Sequence, residues 1–148
     1  MTRKKRIYLA TPYSHSDDSV QLKRYIEVTK AAAWLMKNKN CSVFSPITHS
    51  RPIALCNSCG GGWEIWSELD LSIINDWSDE LYILAIPGWL KSVGVNGEKD
   101  FAISCQIPVR LIIPVFGNNY YINDFFNCRD VESQDNIAKF IEGEFYGL

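Results

Sequence analysis

The sequence lacks any long apolar run. No stretch approaches the ~20 consecutive apolar residues that a membrane-spanning helix needs, and the run IYLA after the basic amino terminus is too short for a signal peptide. An excess of one charge is also missing, since the formal net charge is −2. We therefore expect a cytoplasmic protein that neither enters a membrane nor binds a nucleic-acid polymer.

Side chains that bind metals are scarce as well. The chain has two histidines and five cysteines, and a single Cys-x-x-C pair formed by Cys56 and Cys59. A structural zinc site needs four ligands, and His49 is the only candidate nearby. The odd number of cysteines, most of them among apolar residues, fits reduced thiols better than a disulfide framework. We predict neither a metal nor a cofactor.

What the sequence does contain is a regular alternation of strands and helices. Short apolar runs alternate with segments in which apolar residues recur at helical spacing. This alternation predicts one α/β domain over residues 1–148, with a parallel sheet flanked by helices in a flavodoxin-like or Rossmann-like arrangement. The predicted strands are 6–10, 41–46, 80–87 and 107–116, and the predicted helices are about 19–37, 63–77, one starting near Glu98, and 131–145.

Ligands of such sheets bind beyond the carboxyl ends of the strands. Three predicted loops reach that edge: TPYSH after the first strand, SPITHSRP from Pro46 on after the second, and PGWLKSVGVNG after the third. A loop histidine is often simply solvated, and a tryptophan there can pack as well as stack on a ligand. The candidate substrate contacts in these loops are Thr11, Tyr13, His15, His49 and Trp89.

One carboxylate occupies an unexpected position. At about 100° per residue, Asp70 falls on the same helix face as Trp63, Trp66 and Ile74. An ionised aspartate among such side chains is costly unless it has a partner or opens onto a pocket. Asp70 is therefore a candidate functional residue, the alternative being a buried aspartate that caps a loop or pairs with an arginine.

A second carboxylate, Glu98, follows a glycine-spaced loop. In the first turn of a helix a glutamate is stabilised by the helix dipole, and that alone would explain it. The same field would keep the carboxylate ionised, as a nucleophile requires, and amides of the Gly94 to Gly97 stretch would be free to bind an anion. With Asp70, Glu98 gives two carboxylates facing one ligand, the arrangement that cleaves glycosidic bonds.

Three separated segments resemble the nucleoside 2-deoxyribosyltransferase superfamily, which includes the nucleoside 5′-monophosphate N-glycosidases. They are RIYLA with Tyr8, ELDLSIINDWSDELYIL with Asp70, and SVGVNGEKDFAISCQIPV with Glu98. Together they span most of the chain to about residue 114. The segments IYLATPYSH, FSPITHS and PGW resemble a small prokaryotic and phage branch of this superfamily.

The resemblance implies that Glu98 attacks the anomeric carbon, that Tyr8 orients Glu98 and that Asp70 handles the proton of the leaving base. Relatives supply residues to a neighbouring subunit from the segment that holds Asn118 and Asn119 here. The resemblance therefore also implies a homodimer or a larger assembly.

One departure from the family bears on the substrate. Transferases acting on free nucleosides have an aspartate six residues before the nucleophile, where this chain has Ser92 beside Lys91. A carboxylate would repel a 5′-phosphate, whereas a hydroxyl with neighbouring amides binds one. We therefore expect a nucleotide, possibly 2′-deoxy, held by Ser92, Gly94, Asn96 and Gly97. A second departure is that TPYSH lacks the glycines usual in the first loop.

Three alternatives remain open at this level. The first is base exchange between deoxynucleosides, which Ser92 disfavours for the usual substrates. The second is a nucleotide sensor without catalysis on the same fold. The third is cleavage of NAD at the nicotinamide bond, for which only fold analogy speaks.

Overall fold

A five-stranded sheet forms the centre of the molecule. The structure is a computed structural model, described here for residues 2–57 and 63–123. The strand order is β2-β1-β3-β4-β5, with β1 to β4 parallel and β5 antiparallel to β4. The strands are β1 (Arg6–Ala10), β2 (Ser42–Phe44), β3 (Glu80–Leu84), β4 (Val109–Val115) and β5 (Asn119–Asn123), and the helices are α1 (Asp18–Asn38), α2 (Pro46–Asn57), α3 (Trp63–Trp77) and α4 (Val93–Ser104).

Alternation along the buried strands divides the core between the two faces of the sheet. Ile7 and Leu9 of β1 face α1, where Val28 and Leu35 pack against them, so that the apolar stripe of α1 is covered. The intervening residue, Tyr8, points to the opposite face, which packs on α3 and α4. The polar side chains of the site lie on this same face. The alternation of side chains along β1 therefore decides on which side of the sheet the site forms.

The predicted α/β class is confirmed, as are the helices over α1 and α3. Asp17 caps α1, because its carboxylate accepts hydrogen bonds from the Ser19 amide (2.8 Å) and the Ser19 hydroxyl (2.7 Å). The predicted helix at 131–145 lies outside the described residues, as does Cys59. Within 2–57 and 63–123, no helix is long and apolar enough to cross a membrane.

The predicted loop after the second strand is wrong, because α2 begins there. Pro46 was predicted to start a loop, but proline is also favoured in a first helical turn, whose amides have no helical partner anyway. Ser45 precedes it and caps the turn, since its hydroxyl accepts from the Thr48 amide (3.3 Å) and its carbonyl from the His49 amide (3.2 Å). A second proline, Pro52, lies inside α2.

Two further boundaries differ from the prediction. Helix α4 begins at Val93, five residues before Glu98, because the Ser92 hydroxyl caps it by accepting from the Val95 amide at 3.2 Å. The segment after β4 turns tightly, with positive φ at Gly117 (81°) and Asn118 (59°), and returns as β5. The sheet is therefore mostly parallel, and its last strand is antiparallel.

Candidate functional site

A cavity of about 1020 Å³ opens at the carboxyl edge of the sheet. Its walls come from the segments that follow β1, β2 and β3, together with faces of α1 and α3 and the first turns of α4. This is the edge at which ligands of parallel α/β sheets bind. Its lining includes Thr11, Tyr13, His15, Arg24, Arg51, Trp63, Trp66, Asp70, Lys91, Ser92, Gly94 and Glu98.

Two carboxyl groups and a phenol lie buried at this site. Asp70 is 6% exposed, Glu98 5% and Tyr8 0%. Asp70 Oδ1, Glu98 Oε2 and the Tyr8 hydroxyl have no hydrogen-bond partner among the described residues. Buried polar groups without partners are rare and costly in proteins, and where they cluster beside a cavity they indicate a binding or reaction site.

Each of the three groups is held by a regular element. The Tyr8 ring contacts Phe44 of β2 at a centroid distance of 5.7 Å. Asp70 follows Trp63 and Trp66 at helical spacing on the α3 face that lines the cavity, as the sequence predicts. Glu98 lies in the second turn of α4 rather than at its junction with a loop.

Burial raises the pKa of both carboxyl groups. For Asp70 the pKa rises to about 6, and burial is the cause. For Glu98 the pKa rises to about 8, because burial and the Asp70 charge outweigh the lowering effect of the Tyr8 hydroxyl. The expectation that the helix dipole keeps Glu98 ionised is therefore wrong, since desolvation dominates.

The Tyr8 hydroxyl remains a neutral donor at physiological pH. Burial and the negative potential of Glu98 and Asp70 raise its pKa well above the ordinary value. The hydroxyl lowers the pKa of Glu98, although the two groups lie outside ordinary hydrogen-bond geometry.

The start of α4 brings the predicted anion-binding groups next to Glu98. A Cβ at Gly94 would lie 3.7 Å from Glu98 Oε1 and 4.0 Å from Ser92 Oγ, so all three surround one point. The Ser92 oxygen accepts from the Val95 amide, which leaves the hydroxyl proton free for donation. The Gly94 amide belongs to the first turn, whose amides lack helical partners.

Two other predicted anion ligands on α4 do not reach the cavity. The Asn96 amide donates to the carbonyls of Leu90 (2.8 Å) and Ser92 (2.9 Å), and so holds the turn before α4. Gly97 instead allows a close approach, because a Cβ there would lie 3.0 Å from two atoms of the Trp63 ring. Both residues therefore shape the site without lining it.

The loop after β1 contributes three of the predicted contacts. Thr11, Tyr13 and His15 line the cavity. The ring nitrogen Nδ1 of His15 accepts a hydrogen bond from the Asp17 amide at 3.0 Å. A neutral His15 must therefore carry its proton on Nε2, which makes that nitrogen a donor.

The other two predicted contacts lie elsewhere. His49 is exposed on α2, where its ring contacts Phe44 at 5.7 Å. Trp89 is 4% exposed and belongs to the core between the sheet and α4, so its packing alternative is the one that the structure supports. Neither side chain lines the cavity.

Sequence reasoning missed the arginines of the cavity wall. Arg24 lies in α1, and helical periodicity alone does not show which polar face meets a ligand. Arg51 lies in the segment SPITHSRP, which was predicted to reach the carboxyl edge, but residue type alone did not single it out as a ligand contact. Trp63 and Trp66 had been placed on the Asp70 face, but not named as lining residues.

The fold and the site define an α/β domain with a buried acid pair at the carboxyl edge of its sheet. Residues 5–113 match the model of a family described as a domain of unknown function, DUF1937. The chain belongs to that family, and the matched region contains Tyr8, Asp70 and Glu98. No curated protein matches the sequence significantly.

The contact between Gly97 and Trp63 yields a prediction of stability. Alanine normally stabilises a helix by up to about 1 kcal/mol relative to glycine, but at position 97 its Cβ would press on the Trp63 ring. We expect Gly97→Ala to leave the melting temperature unchanged or to lower it. Gly94→Ala should raise the melting temperature, because the neighbours of its Cβ lie at ordinary contact distance. Equal gains for both variants in thermal unfolding would refute the close contact.

The buried Glu98 predicts an unusual dependence of stability on pH. The folded state binds the Glu98 proton more tightly than the unfolded chain between the ordinary pKa of 4.5 and about 8. The contribution of this group to the free energy of unfolding therefore falls as pH rises through that window, by at most about 5 kcal/mol. Glu98→Gln should be increasingly more stable than the parent toward pH 8.5.

Denaturant unfolding at pH 5 and pH 8.5 measures this difference. Glu68→Gln, an exposed position on α3, is the control and should follow the parent at both pH values. If Glu98→Gln also followed the parent, burial of an ionisable Glu98 would be disproved.

Proposed function

We propose that this protein is an N-glycosidase that hydrolyses the bond between base and sugar in a nucleoside 5′-monophosphate. The observation that supports it most is the Glu98 carboxyl, which is buried, lacks a partner at Oε2 and lines a cavity together with Asp70. Two carboxyl groups facing one ligand suit a displacement at an anomeric carbon. The resemblance of the Tyr8, Asp70 and Glu98 segments to nucleotide N-glycosidases supports the same chemistry.

In the proposed reaction Glu98 attacks the anomeric carbon. A bond forms between that carbon and a Glu98 oxygen while the bond to the base breaks, and the electron pair leaves with the base nitrogen. A proton from Asp70 reaches the base as it departs. Water then attacks the glycosyl-enzyme, gives a proton to Asp70 and releases the sugar phosphate, which restores Glu98.

This sequence of steps needs one ionised and one protonated carboxyl group. With pKa values of about 6 for Asp70 and about 8 for Glu98, the pair holds a single proton between those limits. The proton favours Glu98 in the free protein, so catalysis requires its transfer within the pair when the substrate binds. The Tyr8 hydroxyl favours that transfer, because its interaction lowers the pKa of Glu98.

Groups around the start of α4 suit the 5′-phosphate. The Ser92 hydroxyl and the Gly94 amide lie around the same point as Glu98 Oε1, as a furanose with its reacting carbon near Glu98 would require. No carboxylate occupies position 92, so an anionic group is not repelled there. Lys91 lines the same part of the cavity and adds positive charge.

A sensor without catalysis is the second candidate. It is favoured by the raised pKa of Glu98, because a carboxyl group that stays protonated near neutral pH donates hydrogen bonds but does not attack. A sensor would bind a nucleotide and release no base. Base exchange between nucleosides and NAD cleavage remain further alternatives, and the same assay distinguishes them.

The test of the proposal follows free base by chromatography. The purified protein is incubated with ribo- and deoxynucleoside monophosphates, the matching nucleosides, NAD, and a nucleoside with a second free base. We expect release from certain monophosphates and at least ~100-fold less from Glu98→Ala, the loss typical of a key catalytic group. Glu68→Ala is the matched control and should keep full activity.

Each outcome of that assay has a distinct meaning. Unchanged release by Glu98→Ala would reject Glu98 as nucleophile. New nucleoside in the presence of a second base would identify a transferase, and nicotinamide release would identify NAD cleavage. Binding of a nucleotide without release of any base would leave the sensor.

The acid pair also predicts the shape of the pH profile. Below about pH 6 both carboxyl groups are protonated and no nucleophile exists, whereas above about pH 8 both are ionised and no acid remains. We expect kcat/KM to be bell-shaped with limbs near these values. A profile that is flat from pH 5 to 9 would contradict an acid pair at the reacting centre, and Asp70→Asn should remove one limb.

A further inference from the structure

We propose that Arg51 recognises the phosphate of the ligand and makes the site selective for a nucleotide over the corresponding nucleoside. The inference rests on the proposed function in taking a nucleotide as the ligand. It concerns binding rather than bond cleavage, so the two are tested separately.

The charges lining the cavity are unbalanced. Three basic side chains line it, Arg24, Arg51 and Lys91, whereas the acidic lining residues are the buried Asp70 and Glu98. None of the three basic groups forms an ion pair with a carboxylate among the described residues. A cavity lined in this way attracts an anion.

Arg24 and Lys91 are less suited to select that anion. The Arg24 guanidinium is occupied by backbone carbonyls, since it donates to Ser14 (3.0 Å), Pro87 (3.2 Å) and Tyr13 (3.4 Å). It therefore joins the loops after β1 and β3. Lys91 is exposed, so water and salt screen its charge.

Arg51 differs from both. It is partly buried on α2, and its guanidinium lies 4.8 Å from the centre of the Tyr25 ring. Its Nε is buried and has no hydrogen-bond partner among the described residues. Arg51 therefore has donor capacity that no described residue uses, and its side chain lines the cavity.

The contact with Tyr25 prepares Arg51 for a phosphate. A guanidinium held over an aromatic face is restrained in position, and its nitrogens can still donate hydrogen bonds. A fixed guanidinium edge matches two oxygens of one phosphate, which makes the contact selective as well as strong. Ser92 and Gly94 line the same cavity and offer neutral donors, so Arg51 adds the positive charge that they lack.

Equilibrium binding tests this role without catalysis. In the Glu98→Ala background, calorimetry compares the four deoxynucleoside monophosphates with the matching nucleosides for the parent side chain, Arg51→Met and Arg51→Lys. We expect the parent to prefer a monophosphate, and Arg51→Met to weaken that binding at least tenfold while nucleoside binding changes less than about threefold. The affinity of Arg51→Lys for monophosphates should be intermediate, because lysine keeps the positive charge but lacks the paired N–H groups of a guanidinium.

Arg6 offers a matched control. Its guanidinium also lies over an aromatic ring, that of Trp77 at 5.7 Å, but at the opposite edge of the sheet. Arg6→Met should leave the preference for monophosphates unchanged. Should Arg51→Met fail to fold, judged by circular dichroism and thermal unfolding, the comparison of Arg51→Lys with Arg6→Lys decides the question.

The outcomes separate this inference from the proposed hydrolase. An unchanged preference in the Arg51 variants, or a parent that binds monophosphates no better than nucleosides, overturns the role of Arg51. An Arg51-dependent preference with no base release from any substrate leaves the phosphate site standing and rejects the hydrolase. Base release from monophosphates that is equal in the parent and in Arg51→Met would support the hydrolase and reject the role of Arg51.

Discussion

The site depends on the burial of two carboxyl groups against an apolar core. Asp70 and Glu98 approach one another on neighbouring helices over a single face of the sheet, where each is almost removed from water. Burial raises the pKa of both, and the charge of Asp70 raises that of Glu98 further. The same desolvation that costs stability therefore creates a pair that holds one proton near neutral pH.

The fold brings these groups together through two simple geometric facts. Side chains alternate along β1, so Tyr8 must face α3 and α4 if Ile7 and Leu9 face α1. On α4, the cap at Ser92 starts the helix early enough for Glu98 to lie in the second turn, where it is buried rather than solvated. A helix that began at Glu98 would have exposed the carboxylate to the amides of its first turn and to water.

The sequence predicted those parts of the site that depend on local periodicity. Asp70 was found because it interrupts an apolar helix face, and α3 forms where that face predicts it. Glu98 was found because it follows a glycine-spaced loop, whereas Tyr8 came from a resemblance, and the burial of both could not be predicted from residue types. The pKa of Glu98 was misjudged because a helix dipole is a local property, whereas desolvation depends on the whole packed site.

The element boundaries that the sequence did not predict, the start of α2 and the strand β5, also depend on tertiary packing. Proline at position 46 is compatible with a loop or with a first helical turn, and only the cap from Ser45 and the packing of α2 decide between them. The antiparallel β5 was missed because its pairing with β4 is a tertiary contact, and the polar residues GNN, of which Asn119 begins β5, are typical of a loop.

The basic side chains that line the cavity bear on the protonation of Asp70 and Glu98, which line it as well. Ser92 Oγ and Glu98 Oε1 lie around one point, so a phosphate bound at the start of α4 would approach the pair and raise its pKa values. Without compensation both carboxyl groups would stay protonated, and no nucleophile would form. Cationic side chains close to the phosphate reverse this effect, because they offset its charge before it reaches Glu98. In the proposed complex Arg51 would do more than hold the phosphate, since its charge would allow a dianionic substrate and an ionised carboxylate to occupy one cavity.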